Sequence, residues 1–227
     1  MAKYHNIKEG RFLDRPQRFI ANVEIDGKVE ICHVKNTGRS AEIFVPGAKA
    51  YVQESDGAHR KTKYDLVSVY KGNELINVDS QIPNKVFREW VEAGNLFSPD
   101  AVIKAEVTYG KSRFDFYIED GERKIFVEVK GVTLESDGRA MFPDTPTERG
   151  VKHVKELCAC LAEGYEAYVV FIVKMKGVHS LSPNEAKHPA FAQALREAVA
   201  LGVKVLALDC VVTADGITVD QPVPFHL

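Results

Sequence analysis

One uninterrupted apolar run, Ala-Tyr-Val-Val-Phe-Ile-Val at residues 167–173, constrains the fold of this chain more than any other feature. A run so short is a strand rather than a helix, and with no polar position it has no face to offer water. It therefore reads as a central strand covered on both sides. Helix patterns flank it. Val151, Val154, Cys158 and Leu161 form one stripe of a helix predicted over 147–163 and closed by Gly164. Downstream, a helix near 184–201 and a strand at 203–210 precede a short Pro-containing tail. Upstream, Asn84 reads as the N-cap of a helix that carries Val86, Phe87, Trp90 and Val91 and ends at Gly94. Strands are predicted at 101–109, 112–118 and 124–130, with a loop from there to the next helix. The order is αβββαβ with an αβ extension, a layered α/β unit.

The first 83 residues follow another pattern. Strands predicted at 18–25 and 28–35 are joined by Asp26-Gly27, a pair that tolerates the positive φ of a type I′ turn. Short β-like runs follow at 42–45, 50–53, 64–70 and 74–78, separated by turn residues. About five short strands in about 80 residues predict a small OB-like barrel. The expected organisation is a β-rich domain at 1–83 and an α/β domain at 84–227.

Composition excludes several classes. Hydrophobic residues at 45% and charged residues at 27% leave no tract to assign to disorder. Cys32, Cys158, Cys160 and Cys210 form no Cys-x-x-Cys pair and no disulfide framework, so they read as buried thiols. With neither a secretion-type start nor an apolar run of about 18 residues, the chain is expected in the cytoplasm, without a membrane partner. Net charge is −2, with 13 Lys and Arg against 11 Asp and Glu in residues 1–83 and 17 against 21 in the rest. Any attraction to nucleic acid must therefore be local.

Glu128-Val129-Lys130 ends a strand, which places Glu128 and Lys130 on one face. If Asp120-Gly121 form the turn of the preceding hairpin, Asp115 lies opposite Phe126 and diagonal to Glu128 on that face. If Gly110-Lys111 form the earlier turn, Glu106 faces Asp115 directly. Three carboxylates and a lysine on one patch call for a divalent cation, and hard oxygen ligands with room for water and phosphate suit Mg²⁺ or Mn²⁺. The chemistry expected is phosphodiester hydrolysis, with Asp115 and Glu128 as ligands, Glu106 as a third candidate, and Lys130 orienting water or stabilising charge. A solvated sheet face is the alternative for Glu-x-Lys alone.

The order αβββαβ with Asp115…Glu128-x-Lys130 resembles the restriction-endonuclease-like, PD-(D/E)xK, core. Over almost its full length the chain is similar to the sugar fermentation stimulation protein (SfsA) family. The matching segments are Arg11-Phe-Leu-Asp-Arg-Pro-Gln-Arg-Phe, Asn36-Thr-Gly-Arg, Ser112-Arg-Phe-Asp-Phe, Val127-Glu-Val-Lys-Gly-Val-Thr-Leu and Phe142-Pro-Asp-Thr-Pro-Thr-Glu-Arg-Gly-Val-Lys-His-Val-Lys-Glu-Leu. The resemblance implies an OB-like first domain, a nuclease-like second domain and DNA binding. It does not imply nuclease activity, because the family is named for a cellular phenotype.

Two groups of residues are candidates for nucleic-acid contact. Arg149, Lys152 and His153 open a helix whose N-terminus favours phosphate, with a solvated first turn as the alternative. In the first domain Arg11, Arg18, Phe19, His33, Asn36 and Arg39 mix basic and aromatic groups, as a nucleic-acid surface or an ordinary β-face does. Two functions follow: a Mg²⁺-dependent DNA nuclease, or a non-catalytic DNA-binding regulator of sugar metabolism that uses the core as a scaffold. No phosphate-binding Gly loop supports a nucleotide-dependent sugar enzyme.

Overall fold

The computed structural model describes residues 1–36, 38–55 and 61–227. After a two-residue strand, β1 (Ala2–Lys3), one sheet is built from β2 (Ile7–Gln17), β3 (Ile20–Ile25), β4 (Lys28–Val34), β5 (Lys49–Glu54), β6 (Tyr64–Lys71) and β7 (Glu74–Asn77). Its order is β4-β3-β2-β5-β6-β7, and β4 also pairs in parallel with β6, which closes the five strands β2 to β6 into the expected OB-like barrel. Asp26 and Gly27 take φ of 51° and 74°, as the predicted turn requires.

Two segments of this half differ from the pattern the sequence predicts. Residues 42–45 are not a strand, because the amides of Ile43 and Phe44 both donate to the Ser40 carbonyl and curl the chain into a turn. Residues 7–17 form the long strand β2, which the sequence pattern does not predict. Its register breaks between Phe12 and Asp14 and again before Gln17, which removes the simple alternation that marks a strand. Gly10 within it is required by close approach, since a Cβ there would stand 2.9 Å from the Glu24 carbonyl oxygen.

The second half is layered. Helix α1 (Ile82–Glu92) leads to β8 (Val102–Tyr109), β9 (Ser112–Asp120) and β10 (Arg123–Val132); a hairpin, β11 (Leu134–Ser136) and β12 (Arg139–Phe142), precedes α2 (Glu148–Ala162). Then come β13 (Glu166–Val173), β14 (Ser180–Pro183), α3 (Pro189–Leu201), β15 (Lys204–Thr213) and β16 (Gly216–Pro222). The large sheet runs β1-β16-β15-β13-β10-β9-β8. The apolar run lies in β13, parallel to β10 on one side and β15 on the other, and is buried from Ala167 to Val173. On one face Phe87 of α1 packs with Phe116 and Val170; on the other Leu157 of α2 and Phe191 of α3 pack with Phe171. The predicted αβββαβ order is present, with the β11–β12 hairpin inserted where a loop was expected.

Three element ends differ from those the sequence predicts. Gln81 is the N-cap of α1 and Pro83 stands in its first turn, so Asn84 lies inside the helix and does not cap it. Helix α3 starts at Pro189 rather than near 184, because the amides of Lys187 and His188 donate to the Asn184 carbonyl in a turn. The tail is β16, which pairs with β15 and with β1. Of the cysteines, Cys32, Cys160 and Cys210 are buried, and burial pushes their thiols up to about 12. No helix among the described residues is long and apolar enough to cross a membrane.

Candidate functional site

Strands β9 and β10 pair from Arg123↔Asp120 to Val127↔Phe116. The turn is therefore Gly121-Glu122, two residues' worth of register from the Asp120-Gly121 turn assumed from sequence, and a shift of two preserves the face. The same register would carry Asp115 opposite Glu128, but the ladder stops one position earlier and the strands part. Asp115 fills the gap. Its Oδ2 accepts from the Val129 amide at 2.8 Å, and its Oδ1 accepts from Asn84 Nδ2 at 2.7 Å. Asn84, misread as a cap, is thus what α1 contributes to the site.

Strands β8 and β9 pair as expected around Gly110-Lys111, yet Glu106 does not join Asp115. Glu106 has φ of 55°, which breaks the pleat, and its carboxylate stands 3.3 Å from Arg113 Nη2 with 64% of the side chain exposed. The three-carboxylate cluster is corrected to a pair. Among the described residues no three His, Cys, Asp or Glu side chains converge to hold a metal ion.

Glu128 is 3% exposed. Its Oε1 accepts from Lys130 Nζ at 2.5 Å and from His153 Nδ1 at 2.6 Å. Arg149 Nε donates to His153 Nε2 at 3.3 Å, which makes that nitrogen the acceptor and assigns the imidazole proton to Nδ1. The other oxygen, Glu128 Oε2, is buried with no hydrogen-bond partner. Burial by itself would raise this carboxyl, but the donors on His153 and Lys130 outweigh it and hold Glu128 below the usual range. Asp115 goes the other way. Burial first, and then the negative charge of Glu128, push it up against the Val129 and Asn84 hydrogen bonds.

Arg149 and Lys152 are exposed on the first turns of α2 and, with Lys111, Ser112 and Arg113, line a groove of about 510 Å³. Lys152 pairs with Glu156 at 3.8 Å, and Glu148 meets His188 Nε2 at 3.0 Å. His153 is corrected from a phosphate contact to a buried partner of Glu128, since it faces the sheet and is 4% exposed. Its signal in the sequence, a His on the same helix as two cations, says nothing of which side faces inward.

On the barrel, Arg11 pairs with Glu24 at 2.6 Å, and the Arg18 guanidinium lies 5.6 Å from the centre of the Phe19 ring. Phe19 is 44% exposed, its ring lies 6.5 Å from that of His33, and His33 Nδ1 is 3.3 Å from Asp65 Oδ1. Arg39 is exposed. Asn36 is buried and accepts from the Gly38 amide through Oδ1, so it builds the turn instead of offering its side chain to a surface ligand. Thr37 of the Asn36-Thr-Gly-Arg segment lies outside the described residues.

Comparison with known proteins matches both halves. The SfsA N-terminal OB domain matches residues 13–78, and the sugar fermentation stimulation protein RE domain matches residues 81–216. A sugar fermentation stimulation protein homolog of Desulfitobacterium hafniense (strain DSM 10664 / DCB-2) is 64% identical over 215 residues, covering 95% of this chain and 94% of that one. The homolog of Ruminiclostridium cellulolyticum is 56% identical over 225 residues, covering 99% and 100%. A solved structure, that of Pyrococcus furiosus SfsA in complex with Ca²⁺, aligns over the whole of both chains with a TM-score of 0.89 and 30% identity.

Proposed function

This chain belongs to the sugar fermentation stimulation protein family, and from that premise we propose that it is a cytoplasmic DNA-binding protein that hydrolyses phosphodiesters with Mg²⁺ or Mn²⁺ at Asp115, Glu128 and Lys130. One observation carries the reading: the buried Glu128 carboxylate has one oxygen held by Lys130 and His153 and the other without a partner. An acceptor left unmatched in the interior is unfavourable by about 1–3 kcal/mol. A hard divalent cation is a partner that suits it, and Asp115 lies close enough for its own ionisation to be opposed by Glu128. Asp115 and Glu128 would hold the ion. When bound, it would supply an acidified water and charge stabilisation at a phosphoryl oxygen. The Ca²⁺ held by the Pyrococcus furiosus relative supports a hard-cation site.

Lys130 presents an ammonium beside Glu128, where it stabilises charge developing on a phosphate. His153 fixes the Glu128 carboxylate, and Arg149 holds the His153 tautomer. Arg149 and Lys152 at the start of α2 take backbone phosphates. Residues 1–83 bind DNA through Arg11, Arg18, Phe19, His33 and Arg39, while 84–227 carry the chemistry.

The test is incubation of the full chain with plasmid and single-stranded DNA in Mg²⁺, Mn²⁺ or EDTA. Cleavage should need the metal, vanish in Asp115→Asn and Glu128→Gln, and slow in Lys130→Met with metal affinity retained. If no metal supports cleavage while wild type and the three variants bind DNA equally, the function is that of a non-catalytic DNA-binding regulator of sugar metabolism.

A further inference from the structure

A second polar cavity, of about 300 Å³, lies where the barrel meets the large sheet, and the chemistry above does not use it. Its wall includes Asn36 and Ser80 from one side and Thr133, Asp144 and Lys174 from the other. Lys174 follows β13 directly, so the central strand delivers it to this point. Lys174 is 2% exposed.

The partners of that ammonium are few. Its Nζ donates to the Asp79 backbone carbonyl at 2.9 Å, and among the described residues no carboxylate lies within ion-pairing distance. The Asp79 carboxylate is engaged elsewhere, by Tyr4 Oη at 3.4 Å and the Gln81 amide at 2.8 Å. An ammonium carries three N–H donors, so among the described residues two have no protein acceptor in the wall of a polar cavity. A buried charge in that condition is unfavourable unless a counter-charge arrives. Burial lowers the Lys174 ammonium to about 8, against the opposing pull of Asp79 and other neighbours, which is the condition an oxyanion would relieve.

We propose that this junction cavity binds a phosphate monoester, with Lys174 as the partner of its oxyanion. Ser80 and Thr133 supply neutral polar groups around the phosphate. Asp144, on the same wall, accepts from hydroxyls of the ester's organic group while opposing excess negative charge. The organic group has a place to go: a cavity of about 800 Å³ adjoins, shares Arg18, Gly38, Thr145 and Pro146 with the first, and adds Phe12 and Phe44. A phosphate monoester reaches such a site either as the end of a nucleic-acid strand or as a free small molecule.

Isothermal titration of the full chain distinguishes these sources. The probes are inorganic phosphate, a deoxynucleoside 5′-monophosphate, and one short oligonucleotide carrying either a 5′-phosphate or a 5′-hydroxyl. Lys174→Met should weaken inorganic phosphate and the monophosphate by about tenfold or more, the loss expected for a charged hydrogen bond. Asp144→Asn, which keeps an acceptor but removes the like charge, should tighten both. Asp115→Asn should change neither, so the result is separate from that of the cleavage assay. A preference for the 5′-phosphorylated strand that disappears in Lys174→Met identifies strand ends as the source; a preference for the free monophosphate identifies a small molecule. Equal phosphate affinity in wild type and Lys174→Met overturns the proposal, and if Lys174→Met does not fold, an unchanged affinity in Asp144→Asn overturns it.

Discussion

Asp115 and Glu128 are held by opposite means. Glu128 stays ionised because two donors sit on one oxygen, whereas Asp115 is destabilised as an anion by burial and by Glu128. Their removal should therefore not simply relieve repulsion. Glu128→Ala leaves the Lys130 ammonium and the His153 N–H without their buried acceptor, and should lower apo-protein stability by about 1–3 kcal/mol. Chemical denaturation without metal measures it, and an unchanged midpoint would mean that Lys130 and His153 find water instead. Strand parity made Asp115, Glu128 and Lys130 legible in the sequence, because a pleat fixes faces even when the register is off by two. Asn84 and His153 were not legible as site residues. Their contacts join residues 31 and 25 positions away, and only the packing of α1 and α2 on the sheet creates them.

At the scale of elements, three neighbouring strands are tied at their beginnings. Arg123 at the start of β10 holds Glu166 at the start of β13 at 2.7 Å, and Lys204 at the start of β15 meets the same carboxylate at 2.7 Å. The Arg123 hydrogen bonds first, then those of Lys204, lower Glu166 from 4.5 to about 2 despite partial burial. A carboxyl whose folded pKa lies below its unfolded value stabilises the fold above the unfolded value and ceases to do so as pH falls through the folded one. Thermal stability should thus decline between pH 4.5 and about pH 2, and Glu166→Gln should flatten that part of the curve. A wild-type-like decline in the variant would assign the acid loss to other carboxylates. The central strand and its parallel neighbours were readable because the 167–173 run has no polar residue. The β9–β10 turn was misread because Asp120 serves the strand ends instead, pairing with Arg123 at 2.8 Å.

The two halves are not independent at the scale of the molecule. Strand β1 begins the chain but pairs with β16 of the large sheet. Tyr4 donates to Asp79 at 3.4 Å and accepts from Asn77 at 3.0 Å, and Lys71 of the barrel meets Glu135 of the inserted hairpin at 2.6 Å. These links predict a single unfolding transition, with Tyr4→Phe lowering its midpoint at a cost of about 1–3 kcal/mol; two separate calorimetric peaks would show the halves to be uncoupled. Charge acts at the same scale. With a net charge of −2 the protein as a whole does not attract DNA, so the proposed DNA binding would rest on local clusters that displace counterions, such as Lys111, Arg113, Arg149 and Lys152 around the groove beside Glu128. The logarithm of affinity should then fall linearly with the logarithm of salt concentration. Arg149→Ala and Lys152→Ala should each reduce that slope by about 1, the signature of one lost phosphate contact. Arg11→Ala should reduce it less, because Glu24 stands 2.6 Å from Arg11 as a close counter-charge, whereas Glu156 stands 3.8 Å from Lys152. Fluorescence titrations at several salt concentrations give these slopes directly. Slopes unchanged by Arg149→Ala and Lys152→Ala, with one flattened by Arg11→Ala, would move the DNA path off the groove and onto the barrel alone.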